Sequence, residues 1–311
     1  MKICFCGLGS IGRRHLRNLC RVAAEQNLTL ELHALRKTEK MLEDDISALL
    51  TRQITDESGL DSDYDIAFVT NPTALHFDTI RLMSGRAKQF FIEKPIFDGL
   101  AHSTQELGLN AAGVHYVAGP MRYSDVVQRL AGLAGEETVF SARAICSSYL
   151  PDWRPGVDYR RVYSTQKALG GGVDLDLIHE WDYLVKLFGF PQRVYSISGK
   201  YSHLEIDSAD LAVYIAEYTD KAVELHLDYF GRVPKREIEL FTRNGTITGD
   251  FIANTISFTD GRAPLYFTQS DDDLFLAEMR FFMNKVLSGQ SYSNIDHCVR
   301  LLGLALGKAT V

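Results

Sequence analysis

The chain has 311 residues, a formal net charge of −7, 46% hydrophobic and 23% charged residues. That length holds two ordinary domains, the composition is that of a globular protein, and the acidic balance argues against nucleic acid as a partner. No window approaches the ~20 apolar residues of a membrane span. The opening Met1-Lys2-Ile3-Cys4-Phe5-Cys6 is too short for a signal peptide, and the five cysteines fit no zinc or disulfide spacing, so the expectation is a cytoplasmic protein without a metal site.

Lys2 to Cys6 is a short apolar run, followed by Gly7-Leu8-Gly9-Ser10-Ile11-Gly12 and a helix carrying Leu16, Leu19 and Val22. Strand, G-x-G-x-x-G, helix is the order of a dinucleotide-binding turn. Its first glycine permits the turn, the second lets backbone approach a pyrophosphate, and the third allows close helix–strand packing. The helix start, at Ser10 and Ile11, offers free N–H groups to phosphate. A second strand is expected over Thr29 to Leu35. Where an NAD site usually places a carboxylate for the ribose 2′-hydroxyl, this chain has Arg36 and Lys37, which suit a 2′-phosphate. The alternative is that both are ordinary surface charges.

A buried-type strand, Asp65 to Thr70, leads into Asn71-Pro72-Thr73 and His76, with a helix over Ala74 to Ser84. Gln89 to Ile92 is the next strand and delivers Glu93-Lys94-Pro95. Ligands of open parallel sheets lie beyond the carboxyl ends of strands, which is where Gly7, Arg36, Thr70, Glu93 and Lys94 fall. After a strand at Val114 to Ala118, Gly119-Pro120 marks a domain boundary. The division expected is 1–119 and 120–311.

In the second part, a helix over Tyr123 to Leu133 precedes a strand around Thr138 to Cys146. Ser147 to Lys167 has no clear periodicity. It carries Trp153, Arg154, Tyr159, Arg160, Arg161, Tyr163 and Lys167. Arginines can hold an anion and aromatic rings can face a sugar, so this is a candidate substrate loop; a solvated loop is the alternative. Gly170-Gly171-Gly172 then opens a helix with Leu177, Trp181, Leu184, Val185 and Phe188 on one stripe, ended by Gly189 and Pro191. Asp176 and His179, three apart on the other face, form a candidate acid–base pair. From Arg193 onward five strands separated by short connections predict an antiparallel sheet. Asn244-Gly245 is a hairpin turn. Helices over Leu274–Leu287 and Ile295–Gly307 close the chain.

The G-x-G-x-x-G followed by Arg14-His15, Asn71-Pro72-Thr73 with His76, Glu93-Lys94-Pro95, Arg122-Tyr123 and Gly-Gly…His179…Asp182 occur in the order of the Gfo/Idh/MocA oxidoreductases. The chain resembles that family over its whole length. Trp153-Arg154-Pro155-Gly156 and Asp158-Tyr159-Arg160 resemble members of sialic-acid-type and surface-sugar metabolism. The resemblance implies an α/β Rossmann domain with a parallel sheet and an α/β C-terminal domain with a largely antiparallel sheet. It implies NAD or NADP, a sugar substrate, and a sheet face that pairs subunits into a homo-oligomer. It places Lys94 near nicotinamide and substrate and makes His179 the proton-transfer residue. Where many members have an aspartate four residues before that histidine, this chain has Leu175, and Asp176 three before; Met121 replaces an asparagine before Arg122.

The function expected is hydride transfer between nicotinamide and a secondary alcohol or ketone of a sugar, with Lys94, Asp176 and His179 catalytic. The arginines favour an acidic sugar and the Arg36-Lys37 pair NADP. A non-catalytic nucleotide sensor on the same fold, or a hydrolase or epimerase retaining its cofactor, are the rival expectations.

Overall fold

The computed structural model describes residues 1–37 and 41–308. In chain order the first elements are β1 (Lys2–Cys6), α1 (Ser10–Glu25), β2 (Glu31–Leu35), α2 (Asp44–Leu49), β3 (Arg52–Ile54), β4 (Tyr64–Val69), α3 (His76–Ser84), β5 (Ala87–Ile92) and β6 (Val114–Val117). There follow α4 (Asp125–Glu136), β7 (Val139–Tyr149), α5 (Val173–Asp176), α6 (His179–Phe188), β8 (Arg193–Gly199), β9 (Leu211–Glu217), β10 (Ala222–Asp228) and β11 (Phe230–Thr242). The last are β12 (Thr246–Asp250), β13 (Thr255–Phe258), β14 (Leu265–Tyr266), α7 (Asp271–Ser288), β15 (Tyr292–Ser293) and α8 (Ile295–Ala305).

Two compact units result: Met1–Ala118 with Phe275–Val299, and Gly119–Leu274 with the C-terminal residues from Arg300. A single cut after residue 119 therefore does not describe the chain. Residues 275–299 return to the first unit because α7 offers Leu276, Met279, Phe282 and Met283 at helical spacing to the core built by Ile3, Phe5, Phe68 and Phe91. Phe282 meets Phe91 edge-on at 5.2 Å. Asn294 completes the return: its side chain accepts from the Val117 amide at 2.7 Å and donates to the Val117 carbonyl at 2.9 Å.

The first unit is a seven-stranded sheet of order β15-β6-β5-β4-β1-β2-β3, with every pair parallel. Its central strands are apolar almost throughout, as strands covered on both faces require. Ile3 and Phe5 belong to one core. Cys4 and Cys6, turned the other way by the two-residue period, are buried free thiols.

The second unit is an eight-stranded sheet of order β14-β13-β12-β11-β7-β10-β9-β8. It is largely antiparallel, with one exception to the predicted pattern: β10 pairs parallel with β7. Hairpin geometry forces reversal only between sequential neighbours, and β7 and β10 are far apart in the chain. One face buries Ala212, Tyr214, Ala216, Leu225 and Leu240, and Trp181 of α6 meets Tyr214 edge-on at 5.2 Å. The opposite positions of β8 and β9 leave Tyr195, Ile197 and Ile215 exposed.

The helix predicted across 176–189 is interrupted. α5 ends at Asp176, Leu177 leaves helical geometry at φ −95°, ψ 24°, and α6 begins at His179. The apolar stripe holds through Trp181, Leu184 and Val185, yet the other side is not solvated: Glu180, Asp182 and Tyr183 are buried too. The loop before it is likewise more structured than its sequence suggests. Single 3₁₀ turns occupy Leu150–Asp152, Tyr159–Arg161, Tyr163–Thr165 and Lys167–Leu169.

Candidate active site

The site residues of the first unit lie at the carboxyl ends of its strands. Gly7 follows β1 with φ +102°, and a Cβ there would come within 2.8 Å of the Asn71 backbone. Gly12 has no more room: a Cβ would lie 2.6 Å from the Gly7 carbonyl. Thr70, at the end of β4, donates from Oγ1 to that same carbonyl at 2.6 Å, locking the turn. Gly9 is different, since a Cβ there would meet nothing within 4 Å. No side chain caps α1 and its first turn holds no acid, so a pyrophosphate there would add negative charge to the positive end of the helix. Gly9 and Ser10 are exposed and Ile11 is half-buried. These residues fit a dinucleotide.

Asn71 and Pro72 are half-buried in the loop after β4, and the Asn71 amide donates to Thr79 at 2.8 Å. His76 is 1% exposed. Its Nε2 is 2.9 Å from the Asn71 carbonyl and its Nδ1 3.0 Å from that of Pro95. It therefore ties the loop after β4 to the loop after β5. Burial holds the ring's pKa below its ordinary value, outweighing those carbonyls.

Glu93 is 7% exposed and turns onto His15 of α1 through Oε1, while Oε2 accepts from the Lys94 amide at 3.1 Å. Burial alone would raise the Glu93 carboxyl; the His15 bond and the charges of His15 and Lys94 reverse this and hold it below the usual range. His15, in the motif Arg14-His15, thus anchors the strand end that presents half-buried Lys94. At the end of β2, Arg36 donates from Nη1 to Gln53 at 2.9 Å and Lys37 lies 3.5 Å from Glu57. Glu31, His33 and Asp61 cluster at the far end of the sheet, with Lys2 already 2.6 Å from Asp61.

In the second unit Arg122 sits on the 3₁₀ turn Pro120–Tyr123, its Nε 2.8 Å from Asp182 Oδ2. A Cβ on Gly119 would fall 2.6 Å from both groups, so the glycine is the space this pair occupies. The Tyr123 carbonyl accepts from Gln269 at 2.9 Å. Glu180, next to His179, is fully buried and held by Arg236 Nε at 2.9 Å.

Asp176 Oδ2 accepts from the Tyr229 hydroxyl at 2.7 Å. Tyr229 is fully buried, and Trp153 meets its ring edge-on at 5.3 Å. Trp153 is 39% exposed and its indole donates to Ser148 Oγ at 2.8 Å. A small cavity in the loop is lined by Trp153, Arg154, Val157, Tyr159 and neighbouring groups. The remaining loop residues are engaged. Arg160 contacts Asp158 at 2.8 Å and Glu205 at 2.9 Å. The Tyr159 hydroxyl accepts from the Glu205 amide at 3.2 Å, and Tyr163 donates to the Gly170 carbonyl at 2.6 Å. The positive balance of the loop sequence is thus offset by Glu205, which comes from the β8–β9 connection. Tyr229 and Ser148 were not among the expected site residues: a tyrosine at a strand end carries no local signal.

Residues 1–112 match the model of the Gfo/Idh/MocA oxidoreductase family, NAD-binding Rossmann fold. Solved structures extend the likeness to the whole chain. Levoglucosan dehydrogenase, in complex with NADH and levoglucosan, aligns with a TM-score of 0.82 at 14% identity, over 99% of this chain and 95% of that one. The myo-inositol 2-dehydrogenase of Lactobacillus plantarum gives 0.78 at 19%, over 98% and 95%. The UDP-N-acetylglucosamine 3-dehydrogenase of Acidithiobacillus ferrooxidans gives 0.73 at 19%, over 99% and 96%. At such identities the likeness is one of fold. No curated protein matches by sequence. Within the matched residues, the glycine turn, Thr70 and the loops joined by His76 form one connected cradle.

Proposed function

We propose that the protein is a nicotinamide-dependent oxidoreductase acting on a secondary alcohol or ketone of a sugar or polyol. The observation that carries this is the open space over Gly9 at the uncapped start of α1, within a segment matching an NAD-binding oxidoreductase family. The dehydrogenases of similar fold, named for sugars and an inositol, support the substrate class.

When bound, the nicotinamide supplies hydride exchange with the substrate carbon. In this reading Gly7, Gly9, Ser10, Ile11 and Gly12 hold the pyrophosphate, with Thr70, Asn71 and Pro72 bordering the dinucleotide. His179 exchanges the hydroxyl proton, Lys94 donates a hydrogen bond to the same oxygen, and Asp176 orients the imidazole. Glu93 and His76 contribute by holding the loops. Arg36 and Lys37 support NADP(H) binding at least as tightly as NAD(H), and Arg36→Asp shifts preference toward NAD(H). Arg154, in the cavity wall, supports an acidic group on the sugar.

The test is turnover of both cofactors with a panel of neutral and acidic sugars and inositols. His179→Ala and Lys94→Ala should each lower kcat by about 100-fold or more, with dinucleotide affinity little changed in the histidine variant. No turnover with any member, or near-normal turnover by His179→Ala, rejects the reading. The exposed Tyr195, Ile197 and Ile215 support pairing of two copies through the open sheet face; a monomeric mass by light scattering counts against it.

A further inference from the structure

We propose that Tyr229 is the positioning residue of the acid–base site, fixing Asp176 and joining it to the substrate loop through Trp153. This rests on the oxidoreductase reading above.

Asp176 ends a single-turn helix, just before Leu177 departs from helical geometry. Its amide donates to the Gly172 carbonyl at 2.8 Å and the Leu177 amide to that of Val173 at 3.1 Å, which holds the backbone but does not aim the carboxylate. The Tyr229 hydroxyl constrains the side chain by donating to Oδ2 at 2.7 Å. Tyr229 is itself held on both sides of its backbone: its amide donates to the Asp210 carbonyl at 3.0 Å and its carbonyl accepts from the Leu150 amide at 2.9 Å. It is fully buried, so the ring has one position and the hydroxyl one direction. Burial first, and the neighbouring Asp176 charge second, push the phenol well above its ordinary pKa. It remains a hydrogen-bond donor, not a proton source.

The other face of the ring carries the connection to the loop. Trp153 stands edge-on to Tyr229 with ring centres 5.3 Å apart. Its indole is fixed by Ser148 at the end of β7, yet 39% of the residue is exposed. A sugar ring packing on that exposed side sits one aromatic contact from the group that aims Asp176. Leu150, whose amide holds the Tyr229 carbonyl, also lines the loop cavity.

Tyr229→Phe keeps the ring and its contact with Trp153 and removes only the hydroxyl. On a sugar that the wild type turns over, kcat should fall by about tenfold while KM stays within about twofold. In an Asp176→Ala background, where no acceptor remains, the same change should alter kcat by less than about twofold, because its effect acts through that carboxylate. Trp153→Leu should instead raise KM, and a thermal melting profile unchanged in every transition reports intact folding. Normal kcat in Tyr229→Phe beside an impaired Asp176→Ala overturns the proposal alone. So does an equal loss in both backgrounds, which assigns Tyr229 a purely structural part. Should Tyr229→Phe not fold, Tyr229→His keeps a ring and a donor, and it must retain more kcat than Tyr229→Leu or the proposal falls. Normal kcat in Asp176→Ala removes the acid–base assignment and the proposal with it. Absence of wild-type turnover overturns the oxidoreductase reading first, and with it the role of Tyr229.

Discussion

His76 turns both ring nitrogens toward main-chain oxygens, of Asn71 and Pro95, in a site where burial disfavours its charge. Its position in the motif suggests a ligand contact, while its surroundings make it a tie between two loops. A pH dependence follows. The unfolded ring takes up a proton near its ordinary value of 6.5 and the folded ring only below it. The unfolded state then binds more protons, and stability is lost as pH falls through that window. Melting temperature should drop between about pH 7 and 5, and the drop should be smaller in His76→Gln. An equal drop in both proteins would assign the effect to other groups. His115, whose ring burial also holds below its ordinary value, adds in the same direction. Glu93 works in a lower window: its depressed carboxyl stabilises above its ordinary 4.5 and that contribution is lost in stronger acid.

The loop before α5 and the break before α6 carry the consequences at the level of elements. Arg160 and Arg154 look alike in sequence, but their surroundings differ. Arg160 is exposed, faces Asp158 and Glu205, and serves the loop's own conformation. Exposed pairs of this kind contribute only about 0–1 kcal/mol. Among the described residues Arg154 has no carboxylate within 4.0 Å and lines the cavity. Arg154→Ala should therefore raise KM for an acidic sugar by about tenfold or more, the loss of one charge-assisted bond. Arg160→Ala should change it by less than about threefold. The comparison is made against the neutral methyl ester of the same sugar, whose KM should respond to neither change. If the ester responds equally, Arg154 does not bind a carboxylate.

For the molecule as a whole, the decisive feature is the return of residues 275–299 to the first unit. Phe282 is fully buried, edge-on to Phe68 at 5.9 Å and to Phe91 at 5.2 Å. Phe282→Ala should cost about 3–5 kcal/mol as transfer and cavity terms combine. Two units need not unfold together, so the loss belongs to the transition that added dinucleotide raises, because the ligand stabilises only the unit it binds. An effect confined to a transition insensitive to dinucleotide would place the helix in the other core. The acidic net charge of the chain is spread over both units and selects no partner by itself.

Local pattern was enough to identify the glycine turn. Gly7, Gly9 and Gly12 stand between an apolar run and an amphipathic helix, and the demands on them are met within a few residues of chain, except for the approach of Thr70 and Asn71. The parallel sheet was equally legible from apolar runs alternating with helical periods. The short strands β3, β14 and β15 were not, since two or three residues hold no period and exist only because a neighbouring strand supplies partners. The helix period continued through Leu177, and nothing in it marks the break. Nor does it tell that Glu180 and Asp182 would be buried, because their partners Arg236 and Arg122 lie 56 residues on and 60 residues back (182 − 122 = 60). The same limit applies to function. Sequence order alone presented Lys94, Asp176 and His179 as candidates, through motifs that are local. Only the folded chain brought Glu205 to Arg160, Tyr229 to Asp176, and α7 to the first core. Each of these contacts joins residues distant in sequence, whose meeting depends on packing that no local period encodes.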